Sequence, residues 1–228
     1  MTSSDFSTFG RGARRRDFYL RIVAILAVAA FGRPGTAMAD VTAARGGDSR
    51  AEQFVQAGAQ RILSILADQG LSPAQKTAKF RPAIDDLADV PKITNFVLGK
   101  YARTIAPDQR RQFSTAFRAY AETAYKNRLD DYRGETLKVT GSVVRKPGDV
   151  IVNTLVSGGQ MARPAAVAWR VLGSGGAWKV VDVQFKGVWL AITQQQDFVS
   201  TMDNAGGDVE VLIAQLQRDA QRPAVSQR

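Results

Sequence analysis

Between residues 137 and 185 the chain reads LKVTGSVV (137–144), VIVNTLV (150–156), AAVAWRVL (165–172) and WKVVDVQF (178–185). Each run is rich in Val and repeats with period two, the pattern of a half-buried strand. Lys146-Pro147-Gly148, Ser157-Gly158-Gly159 and Gly173-Ser174-Gly175-Gly176 separate the runs. Turns this short join neighbouring strands antiparallel. Alternation places Val167, Trp169 and Val171 on one face of the third strand, with Ala168 and Arg170 on the other. In the fourth it sets Val181, Val183 and Phe185 opposite Val180, Asp182 and Gln184.

Either side of this meander the period is helical. After a polar stretch to Arg50, apolar residues from Phe54 to Leu66 mark a first helix ended by Gly70. Ser72-Pro73 is an N-cap followed by proline at the first helical position, opening a second helix with Phe80, Ile84 and Leu87. Pro91 starts a short third helix that stops at Gly99. Pro107 starts the longest, whose stripe of Phe113, Phe117, Tyr120, Ala121, Ala124, Tyr125, Leu129 and Tyr132 is rich in aromatic residues. After the strands, Phe198 with Met202, and Val209 with Leu212, Ile213 and Leu216, mark two more helices. The expected fold is α+β: a helical N-terminal half packed on a curved four-stranded antiparallel sheet, with C-terminal helices. The aromatic helix is expected to close one sheet face and form a cone with an apolar interior. Periodicity alone is met equally well by a filled core.

The chain has 228 residues, 31 Lys and Arg against 21 Asp and Glu, and no His or Cys. Without imidazole or thiol there is no Ser-His-Asp triad, no Cys nucleophile, no disulfide and no His- or Cys-ligated metal. No cofactor or metal is expected. Arg11, Arg14, Arg15, Arg16 and Arg21 precede an apolar stretch from Ile22 to Phe31, and Ala37-Met38-Ala39 supplies the small residues read by a signal peptidase. The stretch is too short for a bilayer span of ~20 residues. Residues 1–39 are therefore expected to be an export signal cleaved before Asp40, by either the Sec or the twin-arginine route, which places the protein in the periplasm. Removing six Arg and two Asp with it leaves 25 positive and 19 negative residues, scattered rather than blocked together. That balance and the lack of any nucleic-acid motif argue against nucleic acid, and leave a weak attraction to anionic lipid or an acidic partner. Residues 40–50 are expected to be a flexible start, 51–218 the folded domain (51–134 helical, 135–192 sheet, 193–218 helical) and 219–228 a tail.

Several segments together resemble the MlaC family, the toluene-tolerance auxiliary components of a lipid ABC transporter. They are Val97-Leu98-Gly99-Lys100-Tyr101, Ala106-Pro107-Asp108-Gln109-Arg110, Ala116-Phe117-Arg118 and Tyr132-Arg133-Gly134-Glu135 in the helical half. In the strand half they are Trp178-Lys179-Val180-Val181-Asp182-Val183 and Gly187-Val188-Trp189-Leu190, with Trp189 where the family motif has Ser. The resemblance runs from about Ala51 to Leu216. It implies a monomeric periplasmic carrier that holds phospholipid acyl chains in an apolar pocket. Such a carrier passes lipid between an outer-membrane lipoprotein complex and an inner-membrane ABC transporter, maintaining outer-membrane lipid asymmetry. A hopanoid-associated branch of the family makes a polycyclic lipid the alternative ligand.

On this reading the lipid-binding candidates are Val97, Phe113, Phe117, Tyr120, Tyr125, Val152, Trp169, Val171, Val181, Val183 and Leu190, each of which ordinary core packing would also explain. Lys100, Arg103 and Arg118 are the candidates for a headgroup phosphate. The rival reading is a cone-fold enzyme with Asp182 as general base in an apolar cavity. No second acid stands at a fixed spacing from Asp182, whose alternative role is a hydrogen-bonded one near the strand end.

Overall fold

The computed structural model describes residues 47–129, 132–174 and 176–221; the proposed export signal lies outside them. Helix α1 (Ser49–Ala67) begins at Asp48, whose carboxylate accepts from the amides of Arg50 and Ala51. The Asp48 amide donates to Ser142 Oγ at 2.8 Å, and that hydroxyl donates to Glu52 Oε1 at 2.7 Å. The start of the first helix is thus fixed to the first strand, two residues earlier than the apolar period begins. Helix α2 (Pro73–Leu87) opens with a full capping box between Ser72 and Gln75. Helix α3 (Val90–Val97) is capped by Asp89 and followed by a 3-10 turn at Gly99–Arg103. Helix α4 (Pro107–Leu129) carries the aromatic stripe.

The strands β1 (Glu135–Lys146), β2 (Asp149–Gly158), β3 (Ala165–Ser174) and β4 (Ala177–Phe185) form the expected antiparallel meander. A fifth strand, β5 (Val188–Trp189), joins it through a two-residue turn in which Lys186 and Gly187 both have positive φ, 49° and 80°. That turn matches strand twist, and two residues are too few to show a period. Helices α5 (Leu190–Asn204) and α6 (Val209–Ala220) complete the fold. Among the described residues no helix is long and apolar enough to cross a membrane.

Both sheet edges are occupied from outside the sheet. On β1 the Gln56 side-chain amide accepts from the Val139 amide at 3.3 Å and donates to the Leu137 carbonyl at 3.4 Å, in place of a further strand. On β4 the Asp89 amide donates to the Val180 carbonyl at 2.9 Å, and Lys179 Nζ reaches the carbonyls of Asp85 and Asp86. The segment linking α2 to α3 is therefore stitched to β4.

Strict alternation fails at Thr140 and Arg145 in β1 and again in β4. Val171 pairs with Val180 but Arg170 pairs with Asp182, so Val181 is an extra residue in a bulge. Val180 and Val183 consequently share the packed face, whereas uninterrupted alternation separates them.

The helix in direct contact with the sheet is not the aromatic one. The helix lying on the sheet is α1, which contacts β1, β2 and β3, while α4 packs mainly along α6. Ala51, Ala59 and Gly58 let α1 and its neighbours approach closely: a Cβ on Gly58 would stand 2.5 Å from a Leu87 methyl. The α4 aromatics are engaged instead in a second core, where Phe113 stacks on Phe117 with centroids 5.8 Å apart and both rings meet Phe198 edge-on. The protein so contains two apolar cores. One joins α1 and α2 to the sheet, and the other joins α3, α4, α5 and α6.

On the sheet face opposite α1, the Asp149 side chain is only 3% exposed and receives Arg170 Nε and Nη2 at 3.1 and 3.0 Å. These bonds hold its carboxyl below the usual carboxylate value against the cost of burial. An acid with a lowered folded value stabilises the fold above its unfolded value of 3.8 and loses that contribution as pH falls through the folded value. Replacing Asp149 with Ala strands the guanidinium of Arg170. It is expected to cost about 3 kcal/mol, the low end for a buried pair because Arg170 keeps a third of its side chain in water. Urea unfolding at neutral pH and again below pH 3 checks this, and the deficit should shrink in acid.

Candidate functional site

The two cores do not merge. Between them lies a cavity of about 250 Å³ walled by four helices and three strands. Helix α2 and the linker after it contribute Ile84, Leu87 and Ala88, α3 contributes Val90, Ile93 and Val97, and α4 contributes Phe117, Tyr120 and Ala121. The sheet supplies Val156, Val167, Trp169 and the run from Val180 to Val183, and α5 supplies Leu190, Ala191 and Gln194. The aromatic helix thus faces the sheet across this space rather than packing on it.

Of the residues singled out in the sequence, the structure brings Val97, Phe117, Tyr120, Trp169, Val181, Val183 and Leu190 together around the cavity. Phe113, Val152 and Val171 are fully buried within the two cores and are not part of its wall. The side chain of Tyr125 lies outside the described residues. Lys100 and Arg118 are not at the wall either. Lys100 is paired with Asp203 at 2.7 Å and Arg118 with both oxygens of Asp85 at 3.0 and 3.2 Å, while Arg103 is exposed. Sequence reasoning missed the α2 contribution and, on α3, every wall residue but Val97, although Ile84, Leu87 and Ile93 already fell on apolar helical faces. It also passed over Ala121, which it had placed in the aromatic stripe, and Ala191, which is too small to register in one.

The Trp169 indole and the Tyr120 phenol in the wall are engaged or masked. Trp169 Nε1 donates to Thr154 Oγ1 at 3.0 Å, and that hydroxyl donates to the Val167 carbonyl at 2.9 Å, so the indole presents carbon to the cavity. Tyr120 is buried, and burial, with Asp219 and Asp197 nearby, pushes its phenol up to about 12, so it stays neutral.

Asp182 explains why an acid interrupts a Val-rich strand. Its Oδ1 accepts from the Val183 and Ala191 amides, each at 2.8 Å. Ala191 lies in the first turn of α5, whose own N-cap residue, Trp189, supplies no side-chain bond. A carboxylate from β4 therefore serves as the cap of α5 and fixes the cavity wall that α5 provides. Burial raises the Asp182 carboxyl above its usual value, outweighing the amide bonds and Arg170 that lower it. Among the described residues there is no group of three or more acids that could hold a metal ion.

Comparison with known proteins follows the same outline. The family model described as MlaC protein matches residues 56–218. A curated relative, the intermembrane phospholipid transport system binding protein MlaC of Haemophilus influenzae, is 25% identical over 134 residues, 57% of this chain and 61% of that protein. The matched region thus spans about three-fifths of the relative's length. A solved structure, a phospholipid-binding protein from Ralstonia solanacearum in complex with a phospholipid, superposes with a TM-score of 0.66 at 24% identity, covering 75% of this chain and 96% of that one. At that identity the likeness speaks for the fold.

Two substitutions separate the capping role of Asp182 from a catalytic one. Asp182→Ala removes the acceptor and is expected to destabilise the protein by roughly 1–2 kcal/mol, as loss of an N-cap does. Asp182→Asn keeps an acceptor and sheds the buried charge, so it should be close to neutral. Because the folded acid is raised above 3.8, the wild type loses stability as pH climbs from 3.8 through the folded value. The Asn variant should lack that segment of the stability curve in urea unfolding.

Proposed function

The chain belongs to the MlaC family, and from that membership we propose that it is a periplasmic carrier of phospholipid. On this proposal, residues 1–39 are removed on export and residues 51–218 form the lipid-binding domain. The carrier takes lipid between an inner-membrane ABC transporter complex and an outer-membrane lipoprotein complex. One observation carries the reading: the space between the two cores is walled almost wholly by aliphatic and aromatic carbon, with Asp182 committed to a backbone cap. The phospholipid named in the descriptions of both the Haemophilus and the Ralstonia proteins supports the choice of ligand.

The physical need for such a carrier is large. Moving a lipid with roughly 30 chain methylenes into water costs, at ~0.8 kcal/mol each, on the order of 24 kcal/mol. A shuttle must keep the chains shielded and hand them over by contact. The cavity of about 250 Å³ lies just below the roughly 300–1,000 Å³ of ordinary ligand pockets, so two full chains require its walls to part. Helices α3 and α5 are the movable part of that wall. Each is joined to the sheet near one end, α3 through Asp89 on Val180 and α5 through Asp182. This division between a fixed sheet wall and hinged helical walls suits a carrier, whereas a base such as Asp182, tied to two amides, suits an enzyme poorly.

The test is the lipid itself. Protein purified without detergent, extracted with organic solvent and analysed by mass spectrometry, should yield phospholipid in near-stoichiometric amount. Recovery of a hopanoid instead would keep the carrier and change its cargo, and recovery of no lipid, with no uptake of labelled phospholipid, would overturn the reading. Phe117→Glu and Val183→Glu place a charge in the wall and are expected to lower loading at least tenfold while the protein still unfolds cooperatively. Phe113→Glu, in the filled core, should abolish folding.

A further inference from the structure

The sheet carries a second concavity, of about 400 Å³, lined by Val143, Arg145, Lys146, Asp149 and Arg170. It lies at the β1–β2 hairpin. Alternation along β2 sets Asp149 and Ile151 on the face opposite the buried Val150 and Val152. The cross-strand register Val143↔Ile151 and Ile151↔Arg170 continues that outward row through β1, β2 and β3.

Three cations meet here around one acid. Arg170 places Nε and Nη2 on the two oxygens of Asp149, and Arg145 Nη1 approaches the same carboxylate at 3.5 Å. Asp149 is buried while the two guanidiniums keep 34% and 47% of their side-chain surface in water. The acid therefore acts as an anchor that holds two guanidiniums side by side at the surface. Asp149 and, from β4, Asp182 both act on Arg170, and Arg145 and Lys146 bring two further positive charges beside the Lys146-Pro147-Gly148 turn. Planar guanidiniums donate in forks that match phosphate oxygens, and Lys146 adds a mobile point charge. Val143, 41% exposed, borders the cluster, so apolar and cationic surface lie next to each other as at the headgroup level of a bilayer.

We propose that this end of the sheet is a phosphate-headgroup site, by which the protein settles on an anionic phospholipid surface with the β1–β2 hairpin foremost. The site is separate from the cavity: its lining residues are on the outward row, and none of them belongs to the cavity wall. It neither requires nor implies lipid inside the cavity. Its strength depends on salt, because exposed charges are screened beyond about 8–10 Å at ordinary ionic strength.

The experiment uses the protein expressed with its own N-terminal segment and recovered in its processed form, co-sedimented with vesicles of phosphatidylcholine alone or with one-third phosphatidylglycerol. Binding is expected only to the anionic vesicles and should fade at high salt. The double variant Arg145→Gln/Lys146→Gln should bind roughly 20–30-fold more weakly, the loss expected for two basic residues at such a surface. A matched double variant, Arg50→Gln/Arg218→Gln, removes the same charge from exposed positions elsewhere and should bind nearly as the wild type does. Equal loss in both doubles would overturn the proposal in favour of net charge. Absence of wild-type binding to anionic vesicles would also overturn it, including where inorganic phosphate alone shifts the hairpin amides in NMR spectra. Lipid recovered from the cavity by solvent extraction is read separately, so either result leaves the carrier reading to its own test.

Discussion

One helix cannot cover the apolar face that this sheet presents. Helix α1 lies against β1, β2 and β3 and shares one core with that part of the face. Toward β4 the face is left to helices that reach it only at their ends, α2 and α3 through the Ala88-Asp89 linker and α5 through Asp182. Of these, α2 keeps its apolar face in the core that α1 shares with the sheet, while α3 and α5 pack with α4 and α6 around Phe113, Phe198 and Leu212. The cavity is the geometric remainder of this arrangement. Interiors normally fill such a remainder, since side chains pack at crystal-like density. Here two sets of side chains each complete their own packing and leave carbon facing carbon across a gap.

Polar chemistry supports that gap without entering it. Each polar group that the strands bring near the cavity is satisfied within the protein: the Trp169 indole by Thr154, the Asp182 carboxylate by two amides. An unsatisfied group in such a wall would cost on the order of 1–3 kcal/mol and would attract water into a space suited to acyl chains. Charge is kept on the other sheet face, where Asp149 pairs with Arg170. The sheet thus has an apolar side that lines the cavity and a charged side turned outward.

Much of this was legible in the sequence because the decisive signals were local. Period-two Val runs with Gly-rich turns located four strands, Ser72-Pro73 and Pro107 located helix starts, and the ordered motifs from Val97 to Leu190 pointed to the family. What stayed hidden was tertiary. An aromatic stripe says that α4 is buried on one side but not against what, and the small buried residues of α1 carry little periodic signal. The bulge at Val181, which brings Val180 and Val183 to one face, has no signature in a strand that is Val at three of its nine positions. For the same reason the candidate list mixed wall and core. Phe117 and Phe113 are equivalent in period, and only the position of α5 and α6 around them makes one face the cavity and the other fill the core.

The central claim is that acyl chains occupy the space between the two cores, against Trp169. Trp178 and Trp189 can be changed to Phe, which leaves Trp169 as the single indole of the chain. Titrating that variant with phospholipid brominated along its acyl chains should quench the remaining fluorescence strongly and saturably, while the unbrominated lipid should not. Binding of brominated lipid, shown by a labelled headgroup, without quenching of Trp169 would contradict the account, because the chains would then lie somewhere other than between the cores.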